Sequence, residues 1–435
     1  MKKDNITLNM VLSGICRPLA LLTGAVYISF VMSYLGVEKY GIWATILSIL
    51  SWIGYFDIGI GNGLRNKLTE AIAKKEDEKG SCLVSSAYAI ISLIMAVTFL
   101  ILLAAAFLVN WTRLFGTRQE GIQYLLLVSV FFVCLNFIFS VCKSVLYALQ
   151  KAATVSLMEF LTQLFNLLGL MIFSRYIKEN LMLVALIYGF SMTLVSLGAN
   201  IILYIKNSFL CPRFKKVNVR TGMELAGLGI KFFIIQICAL ILFTTDNILV
   251  SYLYGASNVT PYSTVINLFA AVGQVFSAVL APVWSRVTKE KTEGNYTEIR
   301  KIIRIMHFIF IPFAMGSILL MFIFKPVAFI WLRKELYYEQ GLIILGMFYC
   351  IILNWCNIYA YVMNGLGNMN FPMLIAIIQA VSNIPLSIFF AENLGMKSTG
   401  VLLGTVCAMM IGAVLAPLYV YNVLMRKKNE QEGRL

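Results

Sequence analysis

Twelve long apolar segments leave this chain few folds to choose from. They run over residues 9–35, 40–64, 82–109, 122–149, 153–174, 181–205, 223–254, 259–285, 302–324, 340–365, 371–391 and 399–424. A helix crosses the hydrocarbon core of a bilayer with ~20 mostly apolar residues. In lipid every backbone polar group needs an internal partner, so only helices and closed barrels span. Runs this long lack the ten-residue alternation of barrel strands and predict helices. Composition agrees: 60% of residues are hydrophobic and 13% charged, against about half and a quarter in soluble domains. The fold class expected is an all-α polytopic membrane protein of twelve transmembrane helices. Met1-Lys2-Lys3-Asp4 precedes a long apolar run with no A-x-A site, which reads as an uncleaved first span.

The net charge is +15, and its distribution gives an orientation. Of 35 basic residues, 23 fall in the loops on one side of the spans and 9 on the other. Cytoplasmic loops carry the excess of Lys and Arg. Both termini are therefore expected in the cytoplasm, and the charge reads as topology, not as nucleic-acid binding. The spans divide six and six at loop 206–222. Six is even, so the halves share an orientation, as parallel repeats about an axis normal to the membrane do. The expected organisation is an N-terminal lobe 1–205, a cytoplasmic linker 206–222, a C-terminal lobe 223–424 and a cytoplasmic tail 425–435.

Several chemistries drop out. One histidine and nine scattered cysteines without a C-x-x-C offer no metal site or disulfide framework. No glycine is followed by lysine, so there is no phosphate-binding GxxxxGK loop for ATP. Uphill movement would draw on a gradient, a potential or a partner. The longest outward segments, 110–121 and 325–339, hold Arg113, Arg118, Arg333 and Lys334 but no paired carboxylates and no nucleophile with its base. A membrane enzyme such as a polysaccharide polymerase is not expected.

Tyr40-Gly41-Ile42-Trp43, then Tyr55-Phe56-Asp57-Ile58-Gly59-Ile60-Gly61 and Arg65, resembles the second span of polysaccharide-repeat-unit (O-antigen, Wzx-type) flippases. These belong to the multidrug/oligosaccharidyl-lipid/polysaccharide exporter superfamily. Thr245-Asp246-Asn247-Ile248-Leu249-Val250 before Tyr254-Gly255 resembles that family's seventh span. The resemblance implies two six-helix bundles related by a parallel pseudo-two-fold, in a V-shaped exporter-like arrangement. It implies a secondary carrier in the bacterial inner membrane. The cargo would be undecaprenyl-diphosphate-linked oligosaccharide, with membrane lipids, a polysaccharide polymerase and a chain-length regulator as neighbours. No cofactor is implied beyond coupling to H⁺ or Na⁺. A cation-coupled multidrug or metabolite antiporter of the same superfamily is the alternative.

Charges inside spans mark function by default, because they are costly there. Arg17, Lys143 and Lys231 lie six to eight residues from the cytoplasmic ends of their spans, roughly 10–13 Å deep. One reading is a cationic cavity for a diphosphate, with Arg65 and Arg286 at its mouth. The other is internal pairing, Arg17 with Asp57 and Lys143 with Glu159, through the hairpins of spans one and two and of spans four and five. Lys143 and Lys231 also have stems long enough to snorkel to the interface. Lys231 has no carboxylate opposite it in sequence and is the foremost substrate-binding cation. Asp57, Asp246 and Glu159 are the ion-coupling candidates, with a structural hydrogen-bonded role open for Asp246.

Polar stripes supply a lining: Glu159, Gln163 and Asn166 on span five, Asn267 and Gln274 on span eight, Asn357 on span ten, Gln379 and Asn383 on span eleven. Interhelical hydrogen bonding is the plainer explanation for any single one. Gly400, Gly404, Ala408 and Gly412 recur every four residues and suit close helix packing first and homodimerisation second. Gly59, Gly61 and Gly63 beside Arg65 suit either a hinge or a tight helix end.

Overall fold

The computed structural model describes residues 6–53, 59–108, 121–254, 258–332 and 336–432. Asp57 and most of the outward segment 110–121 lie outside them. The described elements are helices: α1 Ile6–Ile53, α2 Ile60–Ala73, α3 Asp77–Leu108, α4 Ile122–Ala148, α5 Ala152–Phe173, α6 Leu181–Lys206, α7 Val219–Tyr254, α8 Val259–Thr292, α9 Tyr296–Phe322, α10 Phe324–Leu332, α11 Gln340–Leu366, α12 Asn370–Ile388 and α13 Lys397–Glu432. Eleven helical segments among the described residues are long and apolar enough to cross a membrane.

The second expected span, 40–64, is the exception. Its residues are shared between the end of α1 and the start of α2. Within α1, Gly36 takes φ 73° and ψ 169°, a combination open essentially only to glycine. Gly59, left-handed at φ 69°, starts α2. That helix then runs to Ala73, past the expected end at 64. Hydropathy falls where charge begins, yet the helix continues because Leu64, Arg65, Leu68 and Thr69 remain buried on one face.

The helices gather into two compact units, Met1–Ile230 and Lys231–Leu435, dividing within α7. In the first unit α1 packs on α5, α2 on α3 and α4, α3 on α4, and α6 on α4 and α5. Trp43, Ile46, Leu64, Leu68, Val84 and Val145 form part of its core. Segment 206–222 packs on this unit. Leu210 is fully buried, the Arg213 amide donates to Ser85 Oγ at 3.0 Å, and Ser86 exchanges hydrogen bonds with the Asn218 backbone.

The second unit repeats the pairing pattern. Contacts α8–α9, α8–α11, α9–α11, α11–α13 and α12–α13 reproduce α2–α3, α2–α4, α3–α4, α4–α6 and α5–α6 in order. Side-chain bonds between α7 and α12 stand where α1 meets α5. This is the pattern that parallel repeats require. Tyr262, Phe269, Phe324, Cys350 and Val401 lie at the centre of the second core. The small-residue stripe of α13 faces α12: a Cβ on Gly404 would stand 2.4 Å from the Ser387 backbone, and one on Gly400 2.6 Å from Ala391 N. Close packing explains the stripe.

Candidate functional site

Packing of α1 on α5 decides which charges meet. Arg17 Nη1 contacts Glu159 Oε2 across that interface, with both side chains about one-third exposed. The two pairings expected from sequence are therefore corrected in part. Glu159 serves Arg17, not Lys143, because α1 lies against α5 and brings the two to one level. Asp57 is outside the described residues.

Arg17, Lys143 and Glu159 line a cavity of about 320 Å³ in the first unit, with Asn136, Thr162, Gln163 and Ser196. Lys143 has no ion pair among the described residues. Two cations and one carboxylate leave the lining with a formal charge of +1. Ser196 donates to Asn136 Oδ1 at 2.7 Å across α6 and α4. Thr162 Oγ1 donates to its own helix at Met158 O. Gln163 approaches Gly24 of α1, where a Cβ would stand 3.6 Å from the amide carbon. Asn166, one turn further along α5, is fully buried in place of lining the cavity. The pocket offers fixed positive charge, amides and hydroxyls, which suits a hydrated anion with polar substituents.

The other expected cations are engaged. Lys231 Nζ donates to Asn370 Oδ1 at 2.7 Å, joining α7 to the start of α12. Sequence had given it no partner; a neutral amide provides one that carries no charge signature. Arg286 pairs with the buried Glu290 at 2.8 Å, one turn along α8. Arg65 is 5% exposed, and its guanidinium lies 4.2 Å from the centre of the Tyr147 ring. Neither arginine stands as a bare charge at a mouth.

Asp246 is 4% exposed and sits where four helices meet. Tyr262 on α8 donates to its Oδ2 at 2.7 Å, and Thr405 on α13 at 2.6 Å. Asn383 on α12 donates to Thr405 at 2.7 Å and accepts from Thr245 on α7 at 3.2 Å. The other carboxylate oxygen, Oδ1, has no hydrogen-bond partner among the described residues. Sequence placed Asn383 on a polar stripe but missed Tyr262 and Thr405, because Thr and Tyr on apolar helices carry no signal of what they face.

The remaining stripes divide. Asn267 and Gln274 share an exposed face of α8. Asn357 Nδ2 donates to Ser277 at 3.2 Å, and Gln379 Nε2 to Met409 O at 3.3 Å. These last two join helix to helix. Gly59 caps α2, and Gly63 sits where a Cβ would stand 3.1 Å from Leu225 O, so the glycine run allows close approach to α7.

A polytopic helical fold with a charged, polar pocket among its membrane helices defines a membrane carrier. The chain belongs to the polysaccharide biosynthesis protein family, whose family model matches residues 3–288. A second model, described as MatE, matches residues 232–389. Among similar named proteins, the "Putative O-antigen transporter" of Salmonella typhimurium is 21% identical over 87% of each chain. The "Putative O-antigen export protein" of Yersinia pseudotuberculosis is 23% identical over 88% of each. Among solved structures, an outward-facing multidrug resistance MATE family transporter of the MOP superfamily aligns with a TM-score of 0.80. Its identity is 16% over 98% of both chains. The Vibrio cholerae MATE transporter VcmN in its bent form gives 0.80 and 16%, over 97% of this chain and 96% of its own. The chain shares their fold.

Proposed function

We propose that this protein is a secondary carrier that flips undecaprenyl-diphosphate-linked oligosaccharide repeat units from the cytoplasmic to the outer leaflet of the bacterial inner membrane by alternating access. The observation that carries the reading is the first unit's cavity. Lys143 stands without an ion pair among the described residues, beside the Arg17–Glu159 pair, so the pocket lining carries a net positive charge for a diphosphate. The names of the relatives in Salmonella and Yersinia support the same cargo. The charge asymmetry supports cytoplasmic termini, and the setting brings a polysaccharide polymerase and a chain-length regulator into reach as partners. Asp246 is the ion-coupling group of this account: a buried carboxylate with one oxygen unpartnered among the described residues can take up H⁺ or Na⁺.

A cationic-drug cavity calls for a bare carboxylate. Of the carboxylate candidates among the described residues, Glu159 is committed to Arg17 and Asp246 is buried behind two hydroxyl donors. The anionic cargo is the better fit.

The test is a strain lacking its own flippase, supplied with this chain and its matching sugar pathway. Lys143→Glu is expected to abolish surface polysaccharide at normal membrane levels of protein, with lipid-linked single units accumulating on the cytoplasmic face. Lys143→Arg should retain export. Full export by the charge-reversed variant would remove the basis for the reading.

A further inference from the structure

The second unit carries a groove that the transport cavity does not use. It lies between α9, α11 and α13, encloses about 460 Å³, and is walled by Ile303, Leu418, Tyr421, Leu424 and Met425. Its apolar rim faces outward: Leu418 is 54% and Tyr421 60% exposed. In a membrane those side chains meet lipid. At its floor His307 stacks on Trp355, with centroids 5.2 Å apart, and hydrogen-bonds to Tyr359 Oη at 3.0 Å.

Pro417 of α13 lines the groove. Proline lacks the N–H that would bond the carbonyl four residues earlier, and its ring pushes that turn open. The released carbonyl is Ala413 O, and the Trp355 indole donates to it at 3.1 Å. That bond ties α13 to α11 beside the groove.

One end of the groove is basic. Arg300 lines it, donating to Leu424 O at 2.9 Å. Arg304 is one turn along the same face of α9 and exposed, and Arg426 is exposed near the end of α13. Lys301 is occupied by Glu298 at 2.5 Å. The end with Arg300, Arg304 and Arg426 is the one that the charge asymmetry assigns to the cytoplasm. An apolar slot that opens to lipid and ends in arginines at the headgroup level is complementary to one kind of molecule.

We propose that this groove binds an acidic phospholipid of the cytoplasmic leaflet, its phosphate at Arg300 and Arg304 and one acyl chain along Ile303, Leu418 and Tyr421. The arginines hold the phosphate, and the net negative charge of the headgroup sets the preference. The slot sets residence: a zwitterionic lipid fills the walls equally well and also brings a phosphate, but its ammonium offsets that charge beside the arginines.

Native mass spectrometry of the full chain, released from mixed phosphatidylethanolamine–phosphatidylglycerol nanodiscs, tests this. One retained phosphatidylglycerol is expected, in preference to phosphatidylethanolamine. Arg304→Gln removes an exposed charge and leaves packing untouched; it should lower the preference roughly fivefold, the value of one basic residue near an anionic surface. Leu418→Trp, which fills the slot, should abolish retention with both arginines present. A photoactivatable phosphatidylglycerol should label peptides containing Tyr421 or Met425. Equal retention of both lipids, displacement of phosphatidylglycerol by undecaprenyl phosphate, or labelling elsewhere would each overturn the proposal, as would a dimer whose second copy covers the groove.

Discussion

At the scale of single residues, a charge in a membrane helix is defined by what its helix packs against, and that was only half legible. The sequence located Arg17, Lys143 and Lys231 at one depth and proposed carboxylates for two of them. The carboxylate that Arg17 meets is Glu159, 142 residues away, because α1 and α5 are neighbours; chain adjacency favoured the hairpin partners instead. Asp246 was legible as an isolated carboxylate, but its donors were not. Its environment makes a sharp prediction. Asp246→Asn keeps an acceptor for Tyr262 and Thr405 and should fold normally while losing the dependence of export on the coupling ion. Asp246→Ala takes the acceptor from Tyr262 and leaves Thr405 only the longer bond to Val401 O at 3.4 Å, and should lower thermal stability by about 1–2 kcal/mol. Equal stability of the two variants, read by thermal denaturation in detergent, would remove the hydrogen-bonding account. Unchanged ion dependence in Asp246→Asn would remove the coupling role.

Among the elements, most helices were visible as apolar runs, since length and hydropathy suffice to identify a span. The helix boundaries around the second expected span were hidden: hydropathy is blind to backbone dihedrals, and the positive φ of Gly36, before that span, and of Gly59, within it, leaves no trace there. The glycine stripe of α13 had two sequence readings, and contact with α12 selects packing within the unit. Gly404→Ala should therefore cost about 1–3 kcal/mol, because the added methyl falls on the Ser387 backbone, which cannot move without separating the helices. Gly198→Ala on α6 meets nothing within 4 Å and should be neutral or gain up to about 1 kcal/mol from helix propensity. Folded yield by fluorescence-detected size-exclusion chromatography separates the two. If they behaved alike, the α12–α13 packing described here would be wrong.

For the whole molecule, the six-plus-six division expected from counting spans stands beside a repeated helix pairing: five pairings of the first unit recur in the second. Such repetition suits a carrier built from two similar bodies, and the cavity lined by Arg17, Lys143 and Glu159 belongs to the first. A diphosphate leaving an inside-negative cell gains about 2.3 kcal/mol per charge for each 100 mV crossed, so the membrane potential can drive the proposed cargo outward. The most direct measurement uses vesicles containing the purified chain and a dye-labelled polyprenyl-diphosphate oligosaccharide, with an impermeant quencher outside to report leaflet transfer. Transfer should require the protein, accelerate when the potential pulls anions across, and vanish with Lys143→Glu but persist with Lys143→Arg. Protein vesicles that move the labelled lipid no faster than empty ones, while moving a cationic dye, would contradict the flippase account and establish the drug carrier instead.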